Sequence, residues 1–183
     1  DKKKLSENEF YILLCSLLEI IPSVSNVSGT YGAFMKINDP RMFKPLILEV
    51  PTLIESNLNH ECYNKDSNKV IREISCDILY IDPPYNNRQY ATNYHILESV
   101  AIWDQKILDN KTGLRPYENQ KSNYCYSGKC VEAFEDLIKN AKCKFILMSY
   151  NNEGIIPYED IIKILSNKGK VKVYTQEYRR FKS

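Results

Sequence analysis

Glycine is scarce here and poorly placed for holding a nucleotide. The 183 residues contain six glycines, and nowhere do two stand one residue apart. That excludes a Gly-x-Gly-x-x-Gly dinucleotide loop. Gly29 and Gly32, within SGTYGAFMK, lack the preceding strand and the third glycine of a phosphate cradle, so they read as a loop or as close packing. Histidine is nearly absent, with only His60 and His95, and the six cysteines never form Cys-x-x-Cys. His60-Glu61-Cys62 is too short and too isolated for a tetrahedral zinc site, so no metal is expected. Cysteines inside apolar runs behave as small hydrophobes, which suits a reduced, cytoplasmic protein. No signal peptide opens the chain, and no apolar run reaches the length of a membrane span. A large excess of positive charge is also missing. The net charge of +2 is far from that of a protein living on non-specific phosphate contacts. Lys2, Lys3 and Lys4 at one end, with Arg179, Arg180 and Lys182 at the other, read first as solvated termini.

What is present suffices for a folded core: 43% of residues are hydrophobic and 26% charged. Residues 7–21 have the spacing of a mostly buried helix stopped by Pro22, and residues 46–50 read as a strand. Asp66 is placed to cap a short helix reaching about Glu73, and residues 76–81 read as a strand buried on both faces. A helix over 94–108 with Asn93 as its cap follows. Then comes a polar stretch to Gly128, a candidate mobile segment. A helix over 132–140, a strand over 144–149, a helix over 157–166 and a long strand over 171–181 complete the reading. Strand and helix alternate, which predicts an α/β fold with helices packed on a mostly parallel sheet.

The chain is organised around Ile78-Leu79-Tyr80-Ile81-Asp82-Pro83-Pro84-Tyr85. Four apolar or aromatic residues run into an acid, and two prolines then forbid the strand to continue. The expected product is a stiff loop at a buried sheet edge, presenting one carboxylate and one aromatic ring. In parallel α/β sheets that edge is where ligands bind. A plain turn with a capping acid is the structural alternative. The set suits the exocyclic amine of a planar base. Such an amine is a poor nucleophile, because its lone pair is delocalised into the ring. A carboxylate and a proline carbonyl can each accept one of its hydrogens and stabilise positive charge as it attacks. Tyr85 can hold the ring plane. A base inside a duplex cannot reach such a loop unless it is flipped out.

At this point the chain resembles a known family. Asp82-Pro83-Pro84-Tyr85, its surroundings DILYIDPPYNNRQYATNYHILESVAIWD, the later KTGLR and FILMSYNNEGII, and the upstream LLCSLLEIIPSVSNVSGTYGAFMK are similar to adenine-specific DNA methyltransferases of restriction–modification type. The resemblance implies a Rossmann-like methyltransferase sheet, mostly parallel with helices on both faces. It also implies S-adenosyl-L-methionine as donor and double-stranded DNA with a flipped adenine as partner. Asp82, Pro83, Pro84 and Tyr85 would be the catalytic loop. Asp66 and Asp82 would face the cofactor, Asp66 near its adenine and also in its capping role. Asn86, Gln89, Tyr90, Asn93, Ser149, Tyr150 and Asn151 would line the substrate pocket, while His95 reads first as a structural histidine. Residues 1–45 would be a helical segment preceding the catalytic half and a candidate DNA-recognition part, with Gly29 to Lys36 near DNA. Residues 46–183 would be the C-terminal catalytic part.

One expected feature is missing. The family's Phe-x-Gly-x-Gly loop, which lets backbone approach the donor's methionine end, is not in this sequence. With an Asp at residue 1, the expectation is a partial fold, with the glycine-rich loop in an N-terminal part or on a partner chain. A non-catalytic DNA- or partner-binding fragment and an RNA adenine methyltransferase are the alternative readings.

Overall fold

A computed structural model describes residues 4–27, 29–32, 35–105 and 112–177. In chain order its regular elements are α1 (Glu7–Ile20), α2 (Ser67–Glu73), β1 (Cys76–Ile81), α3 (Tyr90–Asn93), α4 (His95–Ile102), α5 (Cys130–Asn140), β2 (Cys143–Met148) and α6 (Tyr158–Ser166), joined by loops and short 3-10 turns. They divide into two compact units. One comprises Asp1–Glu61 and Arg88–Lys121, the other Cys62–Asn87 and Ser122–Ser183.

The second unit carries the α/β pattern. β1 and β2 pair in parallel, with Ile78 opposite Phe145, Leu79 opposite Ile146, Tyr80 opposite Leu147 and Ile81 opposite Met148. Leu79, Ile81, Ile146 and Met148 turn one face of the pair toward α2, α5 and α6. Along α5, Cys130, Phe134, Leu137 and Ile138 fall at the i, i+4, i+7 and i+8 spacing of a buried stripe, and α6 adds Ile161 and Ile164. Phe134 and Cys130 are fully buried at the centre. A second tie joins α2 to α5. The Asn68 amide donates to the Ala133 carbonyl at 2.8 Å and to Asp136 at 2.7 Å, while its oxygen accepts from the buried Tyr124 hydroxyl at 2.9 Å. Burial pushes the Tyr124 phenol upward.

The opposite sheet face corrects the expectation of strands buried on both sides. Ile78 (63%), Tyr80 (59%), Phe145 (69%) and Leu147 (59%) are exposed. Apolar content was a fair sign of a parallel strand, but burial needs a second covering layer, and the helices of this unit gather on one face. A further difference lies at 171–177. These residues are irregular rather than a strand, because among the described residues no strand lies alongside to complete their hydrogen bonds; 178–181 lie outside the described residues. The polar stretch before Gly128 is less loose than expected. Its turn at Asn123–Cys125 buries Tyr124 and Cys125.

In the first unit, α1 begins with a capping box. The Ser6 hydroxyl accepts from the Glu9 amide, and the Glu9 carboxylate accepts from the Ser6 amide at 2.8 Å. Instead of being mostly buried, this helix buries only Ser16, whose hydroxyl donates to the Glu49 carbonyl at 2.5 Å. Residues 46–50 form no strand. Pro45 and Pro51 flank them, and Leu46, Ile47, Leu48 and Val50 are exposed. A compact turn, Pro40–Phe43, is held by Asp39, which accepts from the Arg41 amide at 2.9 Å and pairs with its guanidinium at 2.7 Å.

The helix expected over 94–108 is shorter. Asn93 closes α3 instead of capping α4, and α4 ends at Trp103, which adopts the left-handed conformation at φ 49°. Residues 106–108 lie outside the described residues. His95 is buried, with its ring nitrogens 3.0 Å from the Thr92 carbonyl and 2.7 Å from the Thr112 carbonyl. That is the structural role its position suggested.

Candidate active site

Parallel pairing brings the two strand ends of the second unit to one edge. The ladder runs to Ile81 opposite Met148, and the Ser149 amide continues it by donating to the Ile81 carbonyl at 3.0 Å. The Asp82 loop and the Ser149–Asn151 loop therefore leave the sheet side by side. This juxtaposition follows from the parallel register and from prolines that force β1 to stop.

Within that edge, Pro83 is buried and Pro84 half-buried, which anchors the loop, while Asp82 is exposed. The loop thus presents its carboxylate, and the proline that follows is its anchor in the buried edge. Among the described residues the Asp82 carboxylate has no hydrogen-bond or ion-pair partner, so its lone pairs are open to a donor from outside. The Tyr85 ring is 44% exposed, enough to offer a stacking face. Its carbonyl accepts from the Ile155 amide at 3.2 Å, tying the far end of the loop to the segment after β2. Asn86 continues the loop, half-buried.

After β2, Ser149 is exposed and Asn151 closes a turn. The Asn151 side-chain oxygen accepts from the Glu153 amide at 2.8 Å, and its carbonyl from the Gly154 amide at 3.0 Å. The Tyr150 hydroxyl accepts from the Ile156 amide at 3.0 Å, and burial raises its phenol above the usual range.

Asp66 takes its capping role at α2. Both bonds, from the Asn68 amide at 3.0 Å and the Lys69 amide at 3.3 Å, fall on Oδ1. Oδ2 keeps its lone pairs, so capping leaves acceptor capacity for a ligand. No glycine lies at either strand end, and Gly29, Gly128 and Gly169 stand in open space rather than in a tight cradle. The described residues thus fit the amine of a planar base and one polar contact of a donor, and not a backbone cradle for an amino-acid end. Among the described residues no group of side chains could hold a metal ion, and no helix is long and apolar enough to cross a membrane.

Gln89, Tyr90 and Asn93 belong to the first unit. Gln89 is buried, and its carbonyl accepts from the Thr92 amide at 2.9 Å. The Asn93 carbonyl accepts from the Tyr31 amide at 2.9 Å. Tyr90 stacks on Tyr94, with ring centroids 5.8 Å apart and planes at 17°. The pair borders a cavity of about 220 Å³ completed by Glu98, Arg115, Tyr117 and Gln120. Asp104 holds Arg115 through two hydrogen bonds, at 3.0 and 2.5 Å, and keeps the guanidinium firmly charged. Sequence reasoning passed over Glu98, Arg115 and Tyr117. The four-residue spacing of Tyr90 and Tyr94 was the available signal.

Comparison with known proteins gives a consistent set of relatives. The model of the D12 class N6 adenine-specific DNA methyltransferase family matches residues 1–164. The chain is 43% identical over 182 residues to the Type II methyltransferase M.FokI of Planomicrobium okeanokoites, covering 98% of this chain and 28% of that protein. It is 44% identical over 180 residues to the Type II methyltransferase M.NlaIII of Neisseria lactamica, covering 98% of this chain and 53% of that one. Identity to the Type II methyltransferase M.CviAII of Paramecium bursaria Chlorella virus 1 is 32% over 182 residues, with 100% and 54% covered. The chain therefore spans between about a quarter and about a half of these relatives. No solved structure matches it.

Proposed function

Because the chain belongs to the D12 class N6 adenine-specific DNA methyltransferases, we propose that it forms the target-base part of an enzyme that methylates the exocyclic amine of adenine in duplex DNA, as the modification activity of a restriction–modification system. S-adenosyl-L-methionine is the donor in this reading, and when bound it supplies an electrophilic methyl group. One observation carries the proposal: an unengaged carboxylate, Asp82, stands at the end of a parallel strand three residues before a half-exposed ring, Tyr85.

In this mechanism the adenine is flipped from the duplex and Tyr85 stacks on its face. One amine hydrogen goes to the Asp82 carboxylate and the other to the Pro83 carbonyl. The Pro83 carbonyl is fixed before the base arrives, since Pro83 is buried and the following proline limits its backbone, and the Asp82 carboxylate hangs from the same restrained loop. As the nitrogen loses conjugation with the ring and gains positive charge, the negative Asp82 stabilises it. Pro84 keeps the loop stiff, and Asn86, Ser149 and Asn151 border the same edge. Asp66, through its free Oδ2, contacts the donor's adenine side, and Asp82 faces the transferring end. Gln89, Tyr90 and Asn93, in the first unit, are proposed as further contacts to the substrate.

The test uses the intact enzyme and labelled methyl transfer to an adenine-containing duplex. Asp82→Ala is expected to lower transfer by about 10²–10³-fold or more while duplex affinity stays within a few-fold. Transfer near the wild-type rate would show that Asp82 does not stabilise the reacting amine.

A further inference from the structure

We infer that Tyr150 and Gly154 form a latch that sets the Tyr85 end of the Asp82 loop, which makes both of them positioning residues for the amine site. The functional half of the inference rests on the adenine-methylating role proposed for that site, and the structural half on local geometry alone.

The chain of contacts is short. Ile156 is almost fully buried in the core of the second unit, and its amide donates to the Tyr150 hydroxyl at 3.0 Å. The preceding amide, Ile155, donates to the Tyr85 carbonyl at 3.2 Å. Adjacent amides thus point in turn to the ring of Tyr150 and to the backbone of the loop that carries the stacking face. Across this arrangement lies Gly154. A Cβ there would sit 2.2 Å from Cε1, 2.5 Å from Cζ and 2.7 Å from Oη of Tyr150. The contact falls on the end of the ring whose hydroxyl is held by the Ile156 amide and whose surroundings are half-buried, so the ring cannot simply swing away. Glycine is needed here for space. Its own amide is fixed by the Asn151 carbonyl at 3.0 Å, which closes the turn beneath the ring.

Moving the ring must therefore disturb the Ile156 amide, then the neighbouring Ile155 amide, and so free the Tyr85 carbonyl. Tyr150 thus acts through its inward hydroxyl and ring rather than by touching the base. Asp82 lies at the other end of the loop, anchored by buried Pro83, so a broken latch loosens the stacking ring before it loosens the carboxylate.

Two measurements on the intact enzyme test this. The first is amide hydrogen exchange at Ile155 and Ile156, read against Ser149 as internal reference. Gly154→Ala and the isosteric Tyr150→Phe, which removes the acceptor alone, are each expected to speed exchange at Ile156 by about fivefold or more, the worth of one net hydrogen bond. Gly154→Ala should also speed Ile155. The second places 2-aminopurine at the target base and follows its fluorescence beside methyl-transfer kinetics. Gly154→Ala is expected to alter capture of the base and lower kcat by about tenfold or more, with duplex affinity within twofold. A purely structural loss would leave the properly folded fraction with normal base capture. If Gly154→Ala does not fold, Tyr150→Phe carries both measurements. Unchanged exchange in the variants overturns the latch whatever the enzyme's substrate. Altered exchange in an enzyme whose wild type neither captures nor methylates adenine overturns the functional half, because the proposed adenine chemistry itself has failed. Altered exchange with wild-type capture and kcat overturns the positioning role alone.

Discussion

Asn68 offers a quantitative test of how the second unit is held together. Its side chain makes three hydrogen bonds between 2.7 and 2.9 Å, two donated to α5 and one accepted from Tyr124. Asn68→Ala removes all three, yet leaves no buried group stranded. The Tyr124 hydroxyl can turn to the Ala133 carbonyl, 3.1 Å away, and that carbonyl in turn regains a donor. Asp136 keeps Arg72 at 2.6 Å and the Asn140 amide at 3.1 Å. With nothing orphaned, each lost bond counts only its net value, and the solvent-facing one to Asp136 lies at the low end, giving about 2 kcal/mol in all. Urea unfolding followed by circular dichroism should show the midpoint fall with the slope unchanged. Tyr124→Phe alone should cost about 1 kcal/mol. The double variant should show a coupling of only about 0.5–1 kcal/mol, since Ala133 is a second acceptor for the hydroxyl. A loss under about 0.5 kcal/mol for Asn68→Ala, or strict additivity, would refute the claim that this amide joins α2 to α5.

Phe134→Ala should cost about 3–5 kcal/mol, because the ring is fully buried between helices and the sheet; a loss near 1 kcal/mol would mean the core collapses around the gap. The turn at Pro40–Phe43 should depend on acid. Hydrogen bonds from Arg41 hold the Asp39 carboxyl at about 2, below its ordinary 3.8. Its contribution is complete above pH 4 or so and is lost as pH falls toward about 2. An NMR titration of the Asp39 carboxyl reads this directly, and Arg41→Ala should move the midpoint back up. A midpoint at the ordinary value in the wild type would contradict the pairing.

Much of the second unit was legible in the sequence because its signals are local. β1 was read at its full length, since an apolar run meeting Asp-Pro-Pro has one place to stop. The cap at Asp66 and the helices α2, α5 and α6 follow from short-range chemistry in the same way. The failures share one cause. Residues 46–50 and 171–177 have strand-like composition, but strand propensity expresses packing against a neighbour, and none stands beside them among the described residues. Exposure of Ile78 and Phe145, and of Asp82 itself, depends on what covers an edge or a face, which periodicity does not encode. The inward hydroxyl of Tyr150 was equally hidden: Tyr-Asn-Asn-Glu-Gly reads as a polar loop until Gly154 is seen beneath the ring.

Trp103 has a consequence for anyone following this protein in solution. It is the only tryptophan in the chain, it sits at the left-handed residue ending α4, and it is exposed. The unit that holds the Asp82 loop contains none. Indole emission therefore watches one unit only, while far-UV circular dichroism sums the helices of both. One optical channel is thereby tied to a single unit without any label, and the other reports the whole polypeptide. A melting curve that superimposes in both would report a single cooperative transition, and one that separates would report two.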